Sequence, residues 1–94
     1  MAVRIEFTVQ KIEIYTQPGC PYCVRAVQIL ASKNVAFEEI NAPHGTPERQ
    51  DAIRRSGGGR TVPQIFVDEQ ALGGCTDLMQ LDASGQLDTI LGKK

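Results

Sequence analysis

Ninety-four residues, 41% hydrophobic and 22% charged, suit one small domain and leave no room for two. A formal net charge of −1 gives no electrostatic reason to expect nucleic acid or a membrane surface as partner, and no apolar run approaches the length of a membrane span. The amino terminus lacks a signal peptide's continuous apolar region, and an odd count of three cysteines argues against a stapled secreted scaffold, so the mature chain is expected in the cytoplasm with thiols free for redox, catalytic or metal chemistry.

Residues 3–9 alternate strictly, with Val3, Ile5, Phe7 and Val9 on one face, but Ile12 and Ile14 continue in the opposite phase. A slip of one residue turns every side chain to the other face, so residues 1–10 read as an amino-terminal extension or extra strand, and 11–94 as the domain proper. Residues 11–15 read as a short strand. Pro18 and Gly19 break it, and Pro21 suits the first position of a helix, where its missing N–H costs nothing. That makes Cys20 the cap residue, its sulfur facing unpaired N–H groups at the positive end of the helix, a field that favours thiolate over thiol. Cys20 is the predicted nucleophile. Cys23, three residues on within the first turn, can close a disulfide with Cys20 while its own thiol stays shielded, which makes it the resolving thiol.

After Cys20 the apolar residues Cys23, Val27 and Leu30, flanked by Val24, Ala26 and Ala31, follow helical spacing, and Asn34 supplies a left-handed stop. Residues 35–40 read as a second strand, followed by a polar loop through Asn41, Pro43, His44 and Gly45. Thr46 caps a second helix with Pro47 first and Glu48 a favourable early charge; the helix runs to about Ser56, before Gly57, Gly58 and Gly59. Residues 64–67 are the third strand. A turn over 68–70 leads to a brief strand at Ala71 and Leu72, too close for a crossover, so this pair is an antiparallel hairpin. Gly73 and Gly74 open another helix with Leu78, Met79 and Leu81 as apolar contacts; Gly85 interrupts it, and Leu87, Ile90 and Leu91 give a last turn or two before Lys93 and Lys94. The order β-α-β, then α-β-β-α, predicts an α/β protein with a central mixed four-stranded sheet flanked by helices, which a thioredoxin-like fold satisfies.

A lone C-x-x-C serves half of a zinc site as readily as a redox pair, but here it follows a strand and opens a helix. Two further stretches suit the redox reading. In Arg60-Thr61-Val62-Pro63 a proline immediately precedes a strand that reads as buried, which predicts a cis Val62–Pro63 bond. Such a bond would turn the Val62 N–H and C=O outward, offering a peptide-like ligand two strand-type hydrogen bonds beside Cys20. In Gly73-Gly74-Cys75-Thr76-Asp77 the glycines allow close backbone approach, the helix start supplies N–H groups for a carboxylate, and Asp77 can accept from an amine, so the two ends of an amino acid fit there.

Cys-Pro-Tyr-Cys, Thr-Val-Pro and Gly-Gly-Cys-Thr-Asp, in this order and spacing, resemble the dithiol glutaredoxins over about residues 11–92. The resemblance implies a thioredoxin fold and a glutathione-dependent oxidoreductase that serves cell redox homeostasis. It implies that Cys20 attacks mixed or protein disulfides, that Cys23 resolves, and that Tyr22, Gln50, Thr61, Val62, Pro63, Gly74, Cys75, Thr76 and Asp77 line the glutathione site. Glutathione would be the co-substrate with no metal, the other partners disulfide-containing or glutathionylated proteins, and the chain a monomer. One position departs: many members carry lysine three residues before the first cysteine, where this chain has the uncharged Gln17, which implies one charge contact to the tripeptide fewer.

The plainer reading of the two thiols is a zinc site completed by Cys75 and His44; His44 itself reads as a solvated residue with no role, Cys75 as a third redox thiol or a merely small buried residue, and Arg25, Arg54 and Arg55 as a solvated face, with Arg25 near enough to the thiols to help a thiolate. Gly57, Gly58 and Gly59 lack the following Lys-Ser or Lys-Thr of a phosphate loop and read as a helix stop. Two other functions use the same motifs. A glutaredoxin-like donor reduced by thioredoxin reductase would not need the Gly-Gly-Cys-Thr-Asp cradle. An iron–sulfur carrier, holding a cluster with Cys20 and a bound glutathione thiol, usually has a single thiol in a Gly-Phe turn.

Overall fold

The computed structural model describes residues 11–92, so the alternating run over 1–10 and the terminal Lys93 and Lys94 lie outside the described residues. The chain runs β1 (Ile12–Thr16), α1 (Pro21–Ser32), β2 (Glu38–Asn41), α2 (Pro47–Arg55), β3 (Gln64–Val67), β4 (Gln70–Gly73), α3 (Cys75–Ala83) and α4 (Gln86–Ile90). The four-stranded sheet has the order β2-β1-β3-β4. β1 runs parallel to β2 and antiparallel to β3, and β3 pairs antiparallel with β4, which is the expected thioredoxin-like arrangement. Asp68 and Glu69 both adopt left-handed φ, 50° and 72°, as a two-residue turn between right-twisting strands requires. Lys11 is tied to that turn in both directions, its N–H donating to Asp68 Oδ1 and its carbonyl accepting from the Asp68 N–H, each at 2.8 Å.

Alternation along β1 divides the interior. Ile12 and Ile14 pack with Ala26 and Leu30 of α1, Ile65 and Val67 of β3, Leu78 of α3 and Leu87 beyond it. On the other face Tyr15 and Phe66 meet Ala42 and, from α2, Ala52. Glu13 pairs in register with Phe66 and is also buried, although its residue type predicts solvent. Arg55 explains this. Its guanidinium lies 4.2 Å from the Phe66 ring centroid and donates to Glu13 Oε1 at 2.7 Å, to the Tyr15 hydroxyl at 2.8 Å and to Glu69 at 3.0 Å. The expected solvated arginine face is therefore corrected: Arg54 is exposed and pairs with Asp51, whereas Arg55 closes the lower face of the sheet, because its stem and planar head cover ring surface while its donors neutralise a buried carboxylate. The hydrogen bond to Glu13 raises the Arg55 pKa further, so this cation stays charged. Burial, with the hydrogen bond to Asp51, raises that of the Tyr15 phenol; the same bond, 2.8 Å long, holds the Asp51 carboxyl below its ordinary value.

Other differences are local. The strand expected over 35–40 pairs only at Glu38–Asn41, because Asn34 turns left-handed at φ 57° and the next residues must cross from the end of α1 to the sheet edge; Val35 and Phe37 pack on the core without pairing. The buried stripe of α1 is Cys23, Ala26 and Leu30, with Val24 exposed, and on α3 Met79 is 40% exposed because it sits one residue, about 100° of helix, beyond the buried Leu78. Lys33, just past α1, bridges Asp82 of α3 at 2.6 Å and Asp88 of α4 at 3.0 Å.

Arg55→Met should leave Glu13, among the described residues, with only the exposed Lys11, 3.8 Å away, and cost about 3 kcal/mol in urea denaturation. The Arg55→Met/Glu13→Gln double variant should recover most of the loss; no recovery would assign the cost to packing. Asp51, with its folded pKa lowered, contributes stability that is present above its ordinary value of 3.8 and lost as pH falls through the folded value. The stability gap between wild type and Asp51→Asn should accordingly close in acid, as thermal melts across that range would show.

Candidate active site

β1 ends at Thr16, and the turn through Pro18 and Gly19 delivers Cys20 to the start of α1 with extended backbone, φ −108° and ψ 101°. Pro21 occupies the first helical position, as its fixed φ favours. Cys20 Sγ accepts the Cys23 N–H at 3.1 Å, so sulfur does here what a serine or threonine oxygen does at an ordinary helix cap. The pair is closed as a Cys20–Cys23 disulfide with a Cα–Cα distance of 5.2 Å. Cys20 is half-buried and Cys23 is 3% exposed, so an incoming group meets Cys20 first.

The Val62 carbonyl oxygen lies 3.8 Å from Cys20 Sγ, and the Val62–Pro63 bond is cis, as expected. Gln64, the first residue of β3, steadies this loop by donating its side-chain N–H to the Thr61 carbonyl at 2.9 Å. α3 begins against it. A Cβ on Gly74 would stand 3.3 Å from the Pro63 carbonyl, tight against the proline loop, and one on Gly73, whose φ is +98°, would run into the Asp77 carboxylate. Asp77 Oδ2 accepts the Gly74 N–H at 3.0 Å. The first intrahelical bond runs from the Leu78 N–H to the Gly74 carbonyl at 3.0 Å, so the Cys75 and Thr76 amides precede it and face outward for an anion.

Tyr22, Thr61, Val62, Pro63, Gly74, Cys75, Thr76 and Asp77 meet around one groove of about 600 Å³. Gln50 does not join them: it is exposed on α2, outside the lining. Gly73, from the same motif as Gly74, joins them, and Ser56, Gly59, Gln64 and Ala71 complete the wall from outside the sequence motifs; the amide at the head of β3 was the available signal for Gln64. A second groove of about 550 Å³ lies on the opposite flank of the dithiol, between α1 and β2, and Gln17 lines it. The Gln17 side-chain oxygen accepts at 3.0 Å from Arg49, which is 3% exposed and also donates to the carbonyls of Ala42 at 2.8 Å and Arg60 at 3.3 Å. Arg49 escaped sequence reading, because on a polar helix nothing local separates it from a surface charge. His44 is exposed with its ring Nε2 3.4 Å from Arg49, and Cys75 is buried with a free thiol. Among the described residues no three His, Cys, Asp or Glu side chains gather as a metal site.

A family profile described as Glutaredoxin matches residues 12–72. Glutaredoxin 3 of Escherichia coli strain K12 is 51% identical over 80 residues, covering 85% of this chain and 95% of its own. The solution structure of a glutaredoxin from Brucella melitensis, 47% identical, superposes with a TM-score of 0.72 over 89% of this chain and 92% of that one. That of the dithiolic glutaredoxin 2-C-Grx1 from Trypanosoma brucei brucei, 33% identical, gives 0.75 over 87% of each chain.

After reduction, iodoacetamide should label Cys20 rapidly in mild acid, well below the roughly 8.5 of a free cysteine, because the cap position stabilises the charged sulfur. Cys23 and Cys75, both buried, should stay unlabelled in the native protein. Peptide mass spectrometry over a pH series checks both; a Cys20 rate that follows an ordinary thiol titration would contradict the cap argument.

Proposed function

From the premise that the chain belongs to the glutaredoxin family of glutathione-dependent disulfide oxidoreductases, we propose that Cys20 is the attacking thiolate, Cys23 the resolving thiol and the larger groove the glutathione site. The observation that carries this reading is the position of Cys20 Sγ, held at the helix start by the Cys23 N–H and opening beside Val62. The Cys20 thiolate attacks one sulfur of a substrate disulfide, forms a mixed disulfide and releases the other sulfur as thiolate. With a protein disulfide, the Cys23 thiolate then attacks Cys20 Sγ, displacing the second substrate sulfur and closing Cys20–Cys23. Two glutathione thiols reopen that bond in successive exchanges and leave as glutathione disulfide, so two electrons pass from glutathione to substrate. With a glutathione mixed disulfide, Cys20 takes up the glutathionyl group and a second glutathione removes it, so Cys23 is not required. The exchange as written moves electrons between sulfurs alone and uses no metal.

Glutathione lies along Val62 as an added strand would, its cysteinyl sulfur toward Cys20. The free amine and carboxylate of its glutamyl end meet Asp77 and the outward amides of Cys75 and Thr76. Reduction by glutathione suits a reducing compartment, and we place the protein in the cytoplasm as a monomer acting on protein disulfides and glutathionylated proteins. No helix among the described residues is long and apolar enough to cross a membrane.

Cys20→Ser should abolish every activity, whereas Cys23→Ser should keep reduction of glutathione mixed disulfides and lose most reduction of protein disulfides. A glutathione-coupled assay on both substrates tests this, and full activity in Cys20→Ser would end the assignment. Asp77→Asn, which keeps the acceptor for the Gly74 N–H, should raise the KM for glutathione by about five-fold with kcat little changed, the loss expected for one partly exposed charge pair.

A further inference from the structure

The second groove runs from the dithiol between α1 and β2, the outer strand of the sheet, and both Cys20 and Cys23 line it. Its lining is apolar beside the sulfurs. Val24, the residue after Cys23, is 56% exposed, and Val27 is half-buried one turn on. A branched aliphatic side chain beside a reactive sulfur loses its contact with water only when something docks on it. Glu39 is the one charged side chain in the lining, with Gln17, Gln28 and Asn41 as neutral neighbours. Its Oε2 accepts the Thr16 hydroxyl at 2.8 Å, which fixes the carboxylate and leaves Oε1 without a partner among the described residues.

The two flanks of the dithiol each carry one carboxylate, Asp77 and Glu39, but differ in what stands beside it. The larger groove offers amide donors to anions, while the fixed charge of the second is negative and disfavours the carboxylates of glutathione. A protein substrate differs from the tripeptide in that its chain continues in both directions from the attacked cysteine. When that sulfur reaches Cys20, one arm follows the larger groove and the other crosses to the opposite flank. We infer that the groove between α1 and β2 docks this second polypeptide arm of protein disulfide substrates, an apolar side chain against Val24 and Val27 and a lysine or arginine against Glu39. The inference rests on Cys20 being the attacking thiol and adds the surface that separates protein substrates from small ones.

The test compares two peptides with one internal disulfide, identical except for arginine or glutamate near the attacked cysteine, and the mixed disulfide of glutathione with 2-mercaptoethanol, which has no polypeptide arm. Wild type should prefer the arginine peptide by about five-fold in kcat/KM, the upper range for an exposed pair, and the preference should shrink at high salt. Glu39→Gln, which keeps the acceptor for Thr16, should remove the preference, and Glu39→Lys should invert it. Val24→Ser, at an exposed position, should lower kcat/KM for both peptides by about five-fold through KM. All three variants should reduce the small mixed disulfide as wild type does. An unchanged peptide preference in Glu39→Gln with small-substrate activity intact would overturn the docking site, as would an equal fall on all three substrates. Wild type inactive on the small mixed disulfide would instead remove the reading of Cys20 beneath it.

Discussion

A sulfur at the first turn of a helix is the constraint on which the rest of this structure depends. Cys20 can face the Cys23 N–H only if the chain leaves β1 abruptly and enters α1 with a residue that needs no hydrogen bond, and Pro18, Gly19 and Pro21 meet those demands in turn. β1 must then be immobile. It is buried at every position and paired on both sides, so the point from which the cysteine turn springs is the best-supported segment of the sheet.

The surroundings of that sulfur divide the work between backbone and side chain. On the β3 and α3 side the groups on offer are mainly main-chain atoms: the Val62 peptide, the first amides of α3, and Gly74, where helix and loop come close. On the β2 side they are side chains, valines and one carboxylate. Main-chain recognition suits a ligand whose identity never changes. Side-chain recognition suits partners that vary, because it can be retuned one residue at a time without moving the fold.

Features coded by neighbouring residues were legible in the sequence. The helix starts at Cys20 and Thr46, the left-handed Asn34 and β3 at residues 64–67 each follow from a few adjacent side chains, and the structure has them where local rules put them; the hairpin is there too, with β4 longer than Ala71 and Leu72 by one residue at each end. The groove was legible for a related reason: most of its walls come from two short motifs. What escaped is nonlocal. Arg49 and Arg55 look like surface charges on a polar helix, and only the packing of α2 against β1 and the neighbouring loops shows one filling a gap among carbonyls and the other covering a phenylalanine and a buried glutamate. Val35 and Phe37 carry strand-like residue types, but the path from α1 back to the sheet edge decided where pairing begins. Gln50 shares a helix with Arg49, yet it is exposed and outside the groove lining while Arg49 is buried, because adjacent helical positions differ by about 100°.

The bridge from Lys33 to Asp82 and Asp88 has a mechanical consequence. In the proposed mechanism each turnover on a protein disulfide ties a second macromolecule covalently to Cys20, and its Brownian tumbling would pull on the amino-terminal end of α1. The opposite end of that helix is moored to two other helices through Lys33, and Leu30 is sunk in the core one turn earlier. Load applied at the reactive end is thus passed along the helix axis and shared by α3 and α4, and the strand-to-helix turn that aims the sulfur does not have to bear it alone.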